Sequence, residues 1–200
     1  MTNTDNHKQK MKQLQAEQRA KVKTKKKAER GLLLVHTGNG KGKSTAAFGT
    51  VIRALGWGHR VEIVQYIKGT WKTGEKEFFD KFPDLVDFHV MGDGFTWNTQ
   101  NKEQDIRSAE AAWQKSCELM TSGSYDLVML DELNIALRSG YLSTDTVITG
   151  LKQRSHRTSV IITGRNAPDA LLAEADLVTE MSLVKHPFDA GIQAKRGIDF

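Results

Sequence analysis

The residues best equipped for chemistry stand together near the start of the chain: Gly38-Asn39-Gly40-Lys41-Gly42-Lys43-Ser44-Thr45. Glycines let successive backbone N–H groups turn inward on an anion, and a helix starting where the loop ends adds its partial positive charge. In such a cradle Lys43 reaches phosphate oxygens, and the Ser44 hydroxyl ligates a Mg²⁺ shared with them. The apolar run Leu32-Leu33-Leu34-Val35 before the loop and Ala46-Ala47-Phe48-Gly49 after it complete a strand, loop and helix. An ordinary Asn-Gly turn would need none of these coinciding features. The usual pattern is G-x-x-x-x-G-K-[ST], and its first position here is Thr37; the glycine falls at Gly38 instead, making the loop one residue tighter. The motif predicts polyphosphate and Mg²⁺ and leaves open which bond of the nucleotide breaks.

Four further places could contribute. Asp131-Glu132 closes the apolar run Leu127-Val128-Met129-Leu130. Beside a phosphate loop one acid would hold Mg²⁺ and the other orient the loop or a water, whereas without such a loop the pair would cap a helix. Phe95 and Trp97 flank Thr96 in a glycine-bordered stretch, suited either to a flat platform for a planar ligand or to packing under the sheet rim. Arg165, after another apolar run, could meet a phosphate or a carboxylate bidentately, or pair with a surface acid. His186 qualifies by residue type alone and is left unassigned.

The elements that must position these groups can be read from periodicity. β-rich runs fall at 32–36, 61–66, 86–91, 126–131, 158–163 and 177–181, with helical patterns at 44–55, 103–120, 132–138, 144–154 and 168–173. Ile106, Ala109, Trp113, Cys117 and Met120 recur at three- and four-residue steps, so Cys117 reads as packing rather than as a nucleophile. Strands alternating with helices predict a mainly parallel six-stranded sheet with helices on both faces, whose ligands gather at the carboxyl ends of the strands.

Composition bounds the rest. Two hundred residues, 38% hydrophobic and 26% charged, suit one soluble globular domain. No apolar run approaches a membrane span or a signal peptide, and the lone Cys117 suits a reducing compartment, so the expected location is cytoplasmic. Residues 1–30 carry ten Lys/Arg against three acids (+7), and the remaining 170 carry 19 against 21 (−2). The body is thus near neutral, which argues against a general nucleic-acid surface. The chain divides into a basic, helix-prone extension (1–30) and a phosphate-loop domain (31–200). The extension reads equally as a disordered tail or as a helix, and with only Met11, Leu14 and Val22 as larger apolar residues such a helix would need a partner surface.

In order along the chain, Gly38 to Gly49, Gln65-Tyr66-Ile67-Lys68-Gly69-Thr70-Trp71, Gly94-Phe95-Thr96-Trp97-Asn98-Thr99-Gln100, Leu130-Asp131-Glu132-Leu133, Ile162-Thr163-Gly164-Arg165, Val184-Lys185-His186-Pro187-Phe188-Asp189-Ala190-Gly191 and Gly197-Ile198-Asp199-Phe200 resemble the bacterial ATP:corrinoid adenosyltransferases. The resemblance runs from about residue 30 to residue 200. It implies an α/β, P-loop NTPase-like (RecA-like) domain with an N-terminal helical extension. It also implies a reaction in which Co(I) of a corrinoid attacks C5′ of ATP and releases triphosphate, in cobalamin biosynthesis or salvage.

Carried over by position, the resemblance implies that Gly38, Asn39, Gly40, Lys41, Gly42, Lys43, Ser44 and Thr45 contact the triphosphate. Ser44 and Glu132 would bind or position Mg²⁺ (or Mn²⁺), and Arg53 and Arg165 would serve the phosphate or corrinoid side. Phe95 and Trp97 would crowd the lower corrin face and expel an axial ligand, easing reduction of Co(II); with Lys43 they form the expected catalytic set. The resemblance further implies ATP held in reverse relative to ordinary phosphate-loop enzymes, with the late start at Gly38 as a structural cause. As partners it implies a homodimer whose N-terminal helix covers the neighbouring site, and a flavodoxin or other flavin-type reductase as electron donor, with neither nucleic acid nor membrane. Two rival readings stand beside it: a conventional phosphate-loop ATPase or kinase cleaving the γ-phosphate, and a nucleotide-dependent binding module whose basic tail docks on RNA or membrane.

Overall fold

The computed structural model describes residues 3–67, 73–91 and 101–199. Its centre is a six-stranded, all-parallel sheet in the order β3-β2-β4-β5-β1-β6. The strands are β1 (Leu33–Thr37), β2 (Val61–Gln65), β3 (Val86–Val90), β4 (Leu127–Asp131), β5 (Ser159–Thr163) and β6 (Leu177–Glu180). All six match the β-rich runs of the sequence. The helices are α1 (Asn3–Lys23), α2 (Lys43–Gly56), α3 (Gly74–Phe79), α4 (Lys102–Thr121), α5 (Leu133–Arg138), α6 (Thr144–Lys152) and α7 (Asp169–Glu174), and a 3₁₀ turn follows at Pro187–Ala190.

Alternation along the strands sorts the core into two layers. Ile63, Met129 and Ile161 face Ala47, Phe48 and Val51 of α2 and Phe79 of α3. Their neighbours Val64, Val128, Leu130, Val160 and Ile162 face α4 to α7. β4 is buried at every position, as a central parallel strand covered on both sides must be. The chain runs from β1 to β3 toward one edge and from β3 to β6 back again. Right-handed crossovers then place the helices of the two legs on opposite faces, and the two clusters show that arrangement.

Side-chain caps mark the starts of α3, α4 and α6. Asn101 caps α4 by accepting from the Gln104 N–H at 3.2 Å, and Ser143 caps α6 by accepting from the Thr146 N–H at 3.0 Å. The expected stripe of α4 is present, with Ala109, Trp113 and Met120 buried and Cys117 packed against them. The Cys117 thiol is pushed up by burial, and Glu118 adds to the effect, which agrees with a packing role. Residues 5–30 are exposed throughout, so α1 rests on its own helix-forming residues rather than on buried surface.

α2 carries the phosphate loop and is anchored by its second turn. Phe48 meets Phe79 at 5.6 Å and Phe88 at 6.0 Å between ring centroids. Burial of one such side chain is worth about 1.5–3 kcal/mol, which fixes the helix start against the sheet.

Candidate active site

The first strand delivers the loop as expected. β1 ends at Thr37, whose hydroxyl accepts from the Ala167 N–H at 3.1 Å, and the chain turns at Gly38 with φ 92°. That turn needs glycine for a second reason: a Cβ on Gly38 would lie 2.5 Å from the Met181 carbonyl oxygen, and one on Gly40 would lie 2.6 Å from that of Ser182. The Gly40 N–H donates to the Met181 carbonyl at 2.6 Å. The segment after β6 thus presses on the loop, which accounts for Gly at 38 and 40. Gly42, at φ 102°, then opens α2 in a left-handed conformation, and Lys43 is its first residue.

Lys43 is buried, and its Nζ donates to the Gly40 carbonyl at 2.5 Å. Burial pulls its pKa down, opposed by the charge of Glu132 and reinforced by that of Arg165. The three groups therefore share one electrostatic neighbourhood. Gly40 to Thr45, Gln65, Asp131, Glu132 and Arg165 line a cavity of about 490 Å³ at the carboxyl ends of the strands.

Asp131 and Glu132 have different surroundings. Both oxygens of buried Asp131 are occupied: the Thr163 hydroxyl donates to Oδ1 at 2.8 Å, and the Gln65 amide donates to Oδ2 at 3.1 Å. The Thr163 hydroxyl also accepts from the Glu132 N–H at 2.9 Å. This pins Glu132 at φ 61°, a conformation that costs a non-glycine residue about 1–3 kcal/mol. Glu132 Oε2 is buried and has no hydrogen-bond partner among the described residues. Its carboxyl is pushed up to about 7, by burial first and then by Asp131, while Lys43, Arg165 and Arg138 pull it back. An unpaired buried carboxylate oxygen and the Ser44 hydroxyl on one cavity form a hard-oxygen donor set suited to a divalent cation. Among the described residues no group of three or more His, Cys, Asp or Glu could hold a metal ion, so such a cation would take its remaining ligands from phosphate and water.

Of the expected site residues, Gly40, Lys41, Gly42, Lys43, Ser44, Thr45, Glu132 and Arg165 are brought to the cavity. Gly38 and Asn39 belong to the same loop but do not line the cavity, and neither does Arg53, which stands exposed in the last turn of α2, three helical turns from Lys43. Phe95, Trp97 and residues 68–71 lie outside the described residues. His186 caps the 3₁₀ turn, its Nδ1 accepting from the Phe188 N–H at 3.1 Å. Thr73, Glu75, Ala194, Ile198 and Asp199 also line the cavity, and none of them was singled out for it in the sequence. The signal for the first two was a Thr-Gly-Glu helix start with acids in the first turn.

Over residues 29–200 the chain matches the family described as ATP:corrinoid adenosyltransferase BtuR/CobO/CobP. The corrinoid adenosyltransferase of Pseudomonas aeruginosa is 54% identical over 171 residues, covering 86% of this chain and 84% of that one. The protein of the same name from Escherichia coli K12 is 47% identical over 171 residues, covering 86% of each. Among solved structures, the flagellar accessory protein FlaH from Methanocaldococcus jannaschii aligns with a TM-score of 0.51 at 12% identity, covering 76% of this chain and 71% of that one. That likeness concerns the α/β, P-loop NTPase-like fold alone.

Proposed function

We propose a mechanism from the premise that this chain belongs to the ATP:corrinoid adenosyltransferase family and transfers the adenosyl group of ATP to a corrinoid. In this mechanism the phosphate loop grips the entire triphosphate as the leaving group, and C5′ is left free for the cobalt of the substrate to attack. The observation that carries it is the placement of buried Lys43 and the unpartnered Glu132 Oε2 on one cavity. Such a site is built to neutralise and align a polyphosphate, and no His or Cys is among the described residues lining it. Co(I) is itself a strong nucleophile, so the chain's task reduces to charge neutralisation and alignment.

In this reading Lys43 and the N–H groups from Lys41 to Thr45 take up the charge that develops on the triphosphate, while the Gly40 N–H is held by the Met181 carbonyl. Ser44 and Glu132 hold Mg²⁺ (or Mn²⁺), which when bound supplies further charge neutralisation at the phosphates. Asp131 accepts one hydrogen bond on each oxygen, from Gln65 and Thr163, and acts by holding the strand ends around Glu132. Arg165 serves the phosphate side, supported by its coupling to Lys43 and Glu132. Phe95 and Trp97 are assigned to the lower corrin face by the family resemblance.

The same resemblance supports a homodimer in which α1, exposed along its length here, covers the neighbouring site, and a flavodoxin or other flavin-type reductase as the electron donor. A cytoplasmic location fits both. Among the described residues no helix is long and apolar enough to cross a membrane.

The test is anaerobic: ATP, Mg²⁺ and chemically reduced corrinoid, followed by the visible spectrum, with wild type and Lys43→Ala. The expected result is the spectrum of an alkylated corrinoid with wild type, lost on chelation of the cation and lowered at least 100-fold by the substitution. Full activity of Lys43→Ala, or of wild type in excess chelator, would refute the assignment.

A further inference from the structure

The last turn of the chain reaches back to the phosphate loop. The Lys195 carbonyl accepts from the N–H groups of Ile198 at 3.0 Å and Asp199 at 2.8 Å. In return the Lys195 N–H donates to Asp199 Oδ2 at 2.8 Å, so the carboxylate closes its own turn. Its other oxygen, Oδ1, accepts from Nζ of Lys41, a loop residue 158 positions away in sequence. Ala194, Ile198 and Asp199 share the cavity with Gly40 to Thr45. The Lys195 N–H and the Lys41 ammonium hold the Asp199 carboxyl below its ordinary range.

Three bases (Lys41, Lys43, Arg165) and four acids (Glu75, Asp131, Glu132, Asp199) line this cavity. Asp131 is partnered by neutral groups, and Glu132 belongs to the cation site proposed above. Asp199 differs from both because its charge is spent on a base of the phosphate loop itself. A carboxylate on the wall of a polyanion site opposes binding, and it opposes the more highly charged anion more strongly.

We propose that Asp199 is a specificity-determining residue that competes with polyphosphate for Lys41 and so disfavours the triphosphate product relative to ATP. The proposal rests on reading the loop as the holder of the triphosphate. In the reaction the C5′–O bond breaks and its electron pair stays on the oxygen, so the triphosphate gains one negative charge. The cobalt(I) pair forms the new bond to C5′, and the metal ends as alkylcobalt(III). The substrate and product therefore differ at this site by one anionic charge, the quantity to which a carboxylate sharing Lys41 responds.

The experiment is calorimetric titration of the full chain with inorganic triphosphate and, separately, with ATP, both with Mg²⁺. Asp199→Asn removes the charge but keeps an oxygen able to accept from the Lys195 N–H. It is expected to tighten triphosphate about three- to tenfold and ATP by a clearly smaller factor. Lys41→Gln is expected to weaken triphosphate, and on that background Asp199→Asn is expected to tighten it by a smaller factor, because direct repulsion remains while competition for Lys41 is gone. Triphosphate affinity that stays level or falls in Asp199→Asn would overturn the proposal. So would equal tightening of both ligands, or an effect undiminished without Lys41. These failures are distinct from failure of the loop reading, which would show as wild type binding neither ligand.

Discussion

Thr163 offers the sharpest test of how the site is held. Its buried hydroxyl serves two groups at once, donating to Asp131 Oδ1 at 2.8 Å and accepting from the Glu132 N–H at 2.9 Å. Thr163→Val keeps the shape and strips both bonds. Leaving a buried donor or acceptor unpaired costs about 1–3 kcal/mol, so two such groups cost roughly 2–6 kcal/mol. The methyl that replaces the hydroxyl returns about 0.8 kcal/mol, for a net loss of about 3 kcal/mol. In a domain of this size each kcal/mol moves the melting midpoint by about 2–4 °C, so urea and thermal unfolding should report a fall of roughly 6–12 °C. The same variant frees Glu132 from its left-handed conformation, so the Mg²⁺ concentration needed for half-maximal activity should rise about tenfold, the effect found when partners of a metal ligand are lost. Thr163→Ser retains the hydroxyl and should recover most of both losses. A Thr163→Val protein within about 0.5 kcal/mol of wild type, where ordinary surface changes fall, would refute the reasoning.

Other outcomes follow from the same structure. Gly150→Ala would set a Cβ 2.5 Å from Trp113 Cζ2 and 3.1 Å from Cys117 Sγ, and should destabilise the α4–α6 contact by about 1–3 kcal/mol in denaturant unfolding. Asp176 pairs with Arg30 and accepts from the Leu33 N–H, and its carboxyl is held at about 2, by Arg30 first. Its lowered value in the folded state makes a contribution that is present above pH 3.8 and lost as pH falls toward about 2. Asp176→Asn should therefore cost stability at pH 7, by no more than about 1 kcal/mol for so exposed a pair, and the difference from wild type should vanish in acid unfolding below that window. Phe95→Ala and Trp97→Ala should impair turnover that starts from Co(II) corrinoid far more than turnover from pre-reduced Co(I); equal losses on both would remove them from the corrin face.

The four central strands were legible because each is a short apolar run covered by helices on both faces, so position after position is buried, as in Leu127-Val128-Met129-Leu130; the edge strand β6 is exposed at every position and showed only as a short β-prone run. The phosphate loop was legible because its glycines answer a backbone demand that shows in sequence as spacing. Helix α3 was missed: six residues opened by Gly74 carry too little periodicity, and only the Thr73 cap and the acids of the first turn mark its start. The division of labour between Asp131 and Glu132 was also hidden. It depends on Gln65 and Thr163, which sit on two other strands and meet Asp131 only through the sheet register. The same holds for Asp199, whose place beside Lys41 is set by a tail with no regular element to predict its path.

The account stands on the claim that triphosphate leaves whole. Its most direct measurement is a phosphorus balance by ³¹P NMR during anaerobic turnover of ATP with Co(I) corrinoid. One triphosphate should appear for each light-sensitive alkylated corrinoid formed, with no ADP. ADP and orthophosphate beside an unchanged corrinoid would contradict it.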